Sequence, residues 1–395
     1  MVNMTAGIKT SLIWAMSLIL LIHVQSVSAN EQKEETDVGE EAKSAIIMEM
    51  DTGEVLYKKN ENEKLPPASM TKIMTMLLVM EALEREDITL DEQVTASEHA
   101  ASMGGSQIFL EEGEQMTVHE LLKGVAVASG NDASVALAEH ISGSEEKFIK
   151  QMNEKAKELE LKHTHFSNTT GLSTDNHYTT AKDLAVISQA LLEHEKVLEY
   201  TSIYEDYLRQ GTDNEFWLVN TNRLVKHYKG VDGLKTGYTS EAKYNLTATA
   251  KRDGMRVITV VMGAETPKER NRITTKMLDY SFSHYNKHVL AKKGDQLAML
   301  PVEKGKNNDA AVTIDKDAAV VLPKGQDIKN IEQRPKTMEK ITAPADKGTK
   351  AGVMEFYDGD RKLAEIELVL AEDAPSASWY VLFKRTLSRL TGQLS

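Results

Sequence analysis

Leu65-Pro66-Pro67-Ala68-Ser69-Met70-Thr71-Lys72-Ile73-Met74-Thr75-Met76-Leu77-Leu78-Val79-Met80-Glu81-Ala82-Leu83 passes from an extended, proline-blocked approach into a long helix-compatible run. Serine at that junction reads as an N-cap. Lys72, three residues on, shares its face of the helix, so the two side chains can meet. The run is apolar nearly all round, which places the helix inside a core. A helix N-terminus disfavours a second cation, and burial acts on lysine in the same direction. The sequence therefore predicts a Lys72 amine pushed toward neutrality beside Ser69. A serine hydroxyl becomes a useful nucleophile when such a base is within reach.

One string of this kind is weak, because Ser-x-x-Lys also occurs at Ser144-Glu145-Glu146-Lys147 and Ser240-Glu241-Ala242-Lys243. A capping serine with a solvated lysine is the plain alternative. Two further strings change the weighting. Ser129-Gly130-Asn131 lies between the apolar run Leu121 to Ala128 and the helical stretch Asp132 to Ala138, on an inter-helix loop. Lys235-Thr236-Gly237 follows Gly230-Val231-Asp232-Gly233-Leu234 and precedes the alternating stretch Leu246 to Ala250. A lysine and a threonine hydroxyl beside an exposed backbone edge suit a terminal carboxylate.

The ordered trio resembles the active-site set of the penicillin-recognising serine enzymes, the penicillin-binding proteins and serine β-lactamases. Gly104-Gly105-Ser106, Asn168-Thr169-Thr170-Gly171-Leu172, Asn220-Thr221-Asn222-Arg223-Leu224 and Gly230 to Tyr238 look like low-molecular-mass penicillin-binding proteins, the S11-type D-alanyl-D-alanine carboxypeptidases. The match runs from roughly 40 to 390, and its texture is nearest the sporulation-associated subtype. The resemblance implies removal of the terminal D-alanine from peptidoglycan stem peptides, with β-lactams as covalent inhibitors. It implies Ser69 as acylated nucleophile, Lys72 as general base, Ser129 as proton relay and Asn131 as partner of the acyl-side amide. Lys235, Thr236 and Gly237 would hold substrate, with backbone N–H groups of Ser69 and Tyr238 as the oxyanion hole. Tyr238 stands where some relatives carry histidine. Lys72 is expected to serve deacylation too, since no separate base stands out.

Rival readings fare worse. A β-lactamase of the commonest class uses Glu-x-x-Leu-Asn well before the third string. Glu215-Phe216-Trp217-Leu218-Val219-Asn220 has the wrong spacing and lies too near Lys235. Endopeptidase or transpeptidase action would use the same site. His119-Glu120-Leu121-Leu122-Lys123 begins like a zinc-protease string, but Lys123 replaces the second histidine, and His163-Thr164-His165 reads as loop. No metal and no cofactor are expected. A non-catalytic wall-binding module is disfavoured by Ser69, Lys72, Ser129 and Lys235 together.

Lys9, the apolar segment Leu12 to Ile22 and Val27-Ser28-Ala29 read as an export signal over 1–29. The segment is short for a transmembrane helix. Net charge is −13, and removing Lys9 makes it one unit more negative, which argues against nucleic acid as a partner. The absence of cysteine excludes a disulfide framework and thiol chemistry. An acidic, loose leader is expected over 30–44.

The expected fold is an α/β (α+β) sandwich over 45–285, a mainly antiparallel sheet covered by helices with the serine–lysine helix through its middle. A hairpin opens it at Ala45 to Met50 and Glu54 to Tyr57, strands follow at 246–250 and 256–263, and a last helical pattern covers about 267–285. Short alternating runs at 297–302, 310–314, 318–322, 337–342, 351–357 and 362–370 predict a small all-β domain over 289–372, read as a spacer or docking platform. Over 376–395, Trp379, Leu382, Phe383, Leu387 and Leu390 at helical spacing, with Lys384, Arg385 and Arg389, suit an amphipathic helix lying on an anionic membrane. The localisation this implies is the outer face of the cytoplasmic membrane.

Overall fold

The computed structural model describes residues 37–326 and 328–390, without the side chains of 389 and 390. The export signal and residues 30–36 of the leader lie outside the described residues.

Five antiparallel strands form the central sheet: β1 (Ser44–Glu49), β2 (Val55–Lys59), β3 (Val231–Thr239), β4 (Lys243–Arg252) and β5 (Met255–Ala264), in the order β2-β1-β5-β4-β3. Period-two alternation feeds two cores. Ile46, Met48, Ile258, Val260 and Met262 face one, while Ala45, Ile47, Val257 and Val261 face the other. Every residue of β5 is buried, as a strand covered on both faces must be.

Helices close both faces. On the first, α1 (Lys72–Glu84), α2 (Asn131–Ser142) and α3 (Ala181–Glu193) pack into one apolar cluster. In α1, Ile73, Met74, Met76, Leu77, Leu78, Val79, Met80 and Ala82 are all buried, so the prediction of a central helix holds. On the second face, α4 (Pro267–His284) presents Ile273, Met277 and Leu278. Pro267 at its first turn and the Thr266 hydroxyl accepting from Glu269 N–H start that helix. The expected sandwich is therefore the observed one.

Several local readings need correction. Ser69 is not the N-cap: it lies within a 3₁₀ turn, Ala68–Thr71, and α1 begins at Lys72 after Thr71, which makes no side-chain cap bond. The consequence is chemical, since the Ser69 hydroxyl is not spent on capping. Lys235-Thr236-Gly237, by contrast, lies inside β3 at the edge of the sheet, in keeping with the exposed backbone edge expected for it. Two short antiparallel strand pairs between the helices were unforeseen in the sequence, Gln93–Thr95 with Gln115–Thr117 and Glu205–Leu208 with Phe216–Val219. Val38 and Ala42, within the stretch read as a loose leader, are buried against the second core.

Beyond α4, a six-stranded sheet and a two-stranded one surround a separate core that includes Leu300, Val312, Phe356 and Leu368. Tyr285–Ala291 is a strand that none of the expected runs covers, and in place of the expected 337–342 run stand Ile331–Thr337 and the short Ile341–Thr342. The last element, α5 (Trp379–Leu390), exposes Trp379, Tyr380, Phe383 and Leu387. Leu382 is half-buried, and Arg385 donates to the carbonyls of Gly305 and Lys306, so one of the three expected cations faces protein. Among the described residues no helix is long and apolar enough to cross a membrane.

Candidate active site

The three strings converge. Lys72 is fully buried, and its Nζ lies 3.3 Å from Ser69 Oγ, 2.6 Å from Asn131 Oδ1 and 2.7 Å from the Thr170 carbonyl oxygen. Burial first, and the Lys235 charge second, hold its pKa well below the ordinary lysine value, against an opposing pull from Asp132. A neutral amine has two N–H donors and one lone pair. Asn131 Oδ1 and Thr170 O can only accept, so they take the two donors. The lone pair is left for the Ser69 hydroxyl.

Ser129 sits at φ +65° directly after the π-helical turn Gly124–Ala128, which breaks the helical run and turns the chain into α2. Its hydroxyl is 3% exposed and, among the described residues, has no hydrogen-bond partner. A buried polar group left unpaired is costly, which marks it as waiting for a substrate group. Asn131 opens α2. Both ends of its side chain are engaged within the protein: Oδ1 accepts from Lys72 and Nδ2 donates to the Gly104 carbonyl at 2.6 Å. Asp132 beside it accepts from the N–H groups of Ile108 and Leu110, tying the 104–110 loop to the site.

Lys235 is also buried, with Nζ donating to the Thr236 carbonyl at 3.0 Å. Burial, then the neighbouring charge of Arg270, lowers its pKa to about 7. Thr236 Oγ1 is 2.8 Å from Thr221 Oγ1, so two hydroxyls stand side by side at the strand edge. A Cβ on Gly237 would lie 2.7 Å from the Pro67 carbonyl oxygen and 3.2 Å from Met70 N, which shows how closely β3 passes the Ser69 turn. The Tyr238 ring is exposed and stacks on Tyr244 at 4.4 Å, leaving its backbone as the part near the site. A cleft of about 550 Å³ opens beside Ala68, lined also by Leu65, Gly171, Leu172, Tyr178 and Thr239.

The 168–171 turn, for which the sequence offers resemblance but no role, holds the base in place. Asn168 Oδ1 accepts from the N–H groups of Thr170 and Gly171, which turns the Thr170 carbonyl toward Lys72. Gly171 is at φ +84°, and a Cβ there would fall 1.8 Å from the Ala68 carbonyl oxygen. Thr221 was likewise quoted without a role. Among the described residues no cluster of metal-ligating side chains is present, and His119 Nδ1 instead meets the Tyr200 hydroxyl at 2.9 Å.

Residues 29–266 match the D-alanyl-D-alanine carboxypeptidase family, peptidase S11, and residues 285–376 match the C-terminal domain of penicillin-binding protein 5. The chain is 52% identical over 375 residues to the D-alanyl-D-alanine carboxypeptidase DacF of Bacillus subtilis (strain 168), covering 95% of this chain and 96% of that one. Among solved structures, penicillin binding protein 5 from Haemophilus influenzae is 31% identical with a TM-score of 0.71, covering 85% of this chain and 98% of that chain. Penicillin-Binding Protein D2 from Listeria monocytogenes, in its ampicillin-bound form, is 33% identical with a TM-score of 0.53, covering 61% of this chain and 98% of that chain.

The Lys235 site generates a stability test. Below pH about 7 both folded and unfolded chains carry the Lys235 proton, and the buried cation costs in full. Between about 7 and the ordinary value of 10.5 only the unfolded chain binds it, so stability rises with pH across that window. Chemical denaturation should show a shallower rise for Lys235→Met than for wild type. Identical slopes would mean that folded Lys235 keeps its proton.

Proposed function

The chain belongs to the S11 family of D-alanyl-D-alanine carboxypeptidases, and from that premise we propose how its residues divide the reaction. The protein is a D-alanyl-D-alanine carboxypeptidase, a serine hydrolase that removes the terminal D-alanine of peptidoglycan stem peptides. The observation that carries the division of labour is the environment of Lys72, whose two acceptor partners leave its lone pair for Ser69.

Lys235, Thr236 and Gly237, with Thr221 beside Thr236, receive the free carboxylate of the substrate. Lys72 takes the proton from Ser69 Oγ as that oxygen attacks the carbonyl carbon of the last peptide bond. The oxyanion is held by the N–H groups of Ser69 and Tyr238. Ser129 relays that proton, its hydroxyl protonating the leaving nitrogen while taking one from Lys72, so the C–N bond breaks, D-alanine departs and Lys72 is a neutral amine again. Water then attacks the Ser69 ester, giving its proton to Lys72, and the shortened peptide leaves as Oγ is reprotonated. The remainder of the stem peptide occupies the cleft beside Ala68 and Leu172. Asn131 acts mainly by orienting Lys72, its amide being engaged at both ends.

A β-lactam enters as a substrate whose leaving group stays attached, acylates Ser69 and departs slowly. The ampicillin-bound Listeria relative supports this reading. We divide the chain into an export signal over 1–29, a leader to 44, a catalytic domain over 45–285, a β-rich domain over 289–372 and a membrane-associating helix over 376–395. The protein works outside the cytoplasmic membrane, held to its anionic surface by α5. The exposed row Trp379, Tyr380, Phe383 and Leu387, with Lys384 also exposed, supports an interfacial helix.

Ser69→Ala should lower D-alanine release by on the order of 10⁴-fold and abolish covalent penicillin labelling. Labelling that persists on the intact protein by mass spectrometry would remove Ser69 from the nucleophile's role. Deleting 376–395 should move active enzyme from sedimented membranes to the soluble fraction. Continued sedimentation would contradict anchoring by α5.

A further inference from the structure

Of the buried titratable groups, His177 is the one that touches the Ser69 turn without entering the reaction scheme. The Ser167 backbone N–H donates to His177 Nδ1 at 2.9 Å. That bond makes Nδ1 an acceptor and places the ring proton on Nε2. Nε2 lies 2.8 Å from Thr71 Oγ1 and donates to it. The Thr71 hydroxyl in turn donates to the Ala68 carbonyl at 2.9 Å. Each link has one possible polarity, because the chain begins at a backbone N–H and ends at a carbonyl.

We propose that His177 is a positioning residue for acylation, clamping the Ala68 carbonyl through Thr71 and so fixing the direction of the Ser69 hydroxyl toward Lys72. The proposal rests on Ser69 being the acylated residue. Ala68 is the residue before Ser69 and is held at φ +49°, a left-handed conformation that an alanine leaves unless its surroundings enforce it. Its carbonyl oxygen is confined on one side by Gly171, where even a Cβ has no room, and on the other by the Thr71 hydroxyl. The 167–177 segment thus grips the nucleophile turn at two points: Thr170 O holds the base, and His177 holds the residue before the nucleophile. The His177 ring is buried, with Phe166 edge-on at 5.9 Å. Burial, and secondarily the charge of His165, bring its pKa down to about 4, so the uncharged tautomer persists around neutrality.

Because carboxylate capture lies on β3, loss of the clamp should slow acylation without weakening capture. Benzylpenicillin acylation, followed by stopped flow over a concentration range, separates the acylation rate constant from the noncovalent Kd. Mapping the wild-type adduct to the Ser69 peptide by mass spectrometry comes first, so that a wrong nucleophile shows itself separately. His177→Ala should lower the acylation rate constant about 30-fold with Kd within about twofold. In His177→Gln the amide oxygen and nitrogen are spaced much as the two ring nitrogens are, and can face Ser167 and Thr71 in the same roles. It should restore acylation to within about threefold of wild type. Thr71→Val cuts the same chain at nearly constant volume, and adding His177→Ala should slow it little further, since both act on one element. A glutamine variant as slow as alanine, losses that add, or a loss confined to Kd would each overturn the proposal. If His177→Ala does not fold, Thr71→Val acylating at the wild-type rate overturns it alone.

Discussion

An ammonium ion withdrawn from water is the constraint on which this site depends. Lys72 lies at the start of a helix that the core surrounds, because α1 carries methionine, leucine, isoleucine and valine on every side. The charged form therefore loses its hydration, and the neighbouring Lys235 charge penalises it again. What is left is an amine whose hydrogen-bond capacity is fully accounted for. Two carbonyl-type oxygens consume its donors, and a serine hydroxyl meets its lone pair. Packing of an apolar helix is thus what disfavours the proton at position 72 and leaves the amine's lone pair open to the serine.

The backbone supplies the rest of the precision. Three segments far apart in sequence must meet within hydrogen-bond reach, and they do so where side chains are missing. Gly171 admits the Ala68 carbonyl, and Gly237 lets β3 pass beneath the same turn. Asp132, itself buried, gathers the N–H groups of Ile108 and Leu110 and so pins the loop whose Gly104 carbonyl engages Asn131. The paired hydroxyls of Thr221 and Thr236 sit at the open edge of the sheet, where no further strand competes for substrate.

The central helix, the two-core sheet and the order of the three strings were legible because each has a local signal: all-round apolarity, period-two alternation, or residue type at fixed spacing. The conformation at Ser69 was not. Pro66-Pro67 announces a break but does not say whether serine caps a helix or precedes it by one tight turn, and Gly171 decides that from a hundred residues away. Thr170 was hidden for a related reason: it acts through its carbonyl, which every residue has. Thr221 and His177 act through contacts made only after folding. The shifted strand at 331–337 escaped because every residue of that edge strand is exposed, so the buried half of the pattern is missing.

The second domain and α5 add a separate body of buried apolar residues and a terminal aromatic row, and neither contributes a side chain to the site as drawn. Activation of Ser69 depends on the charge of one amine. Direct titration of Lys72 by heteronuclear NMR of lysine-labelled protein, assigned with Lys72→Arg, measures it. A resonance already that of a free amine near neutral pH, with the solvated lysines still fully charged, is the predicted result. A Lys72 signal that stays that of an ammonium until the surface lysines titrate would contradict it.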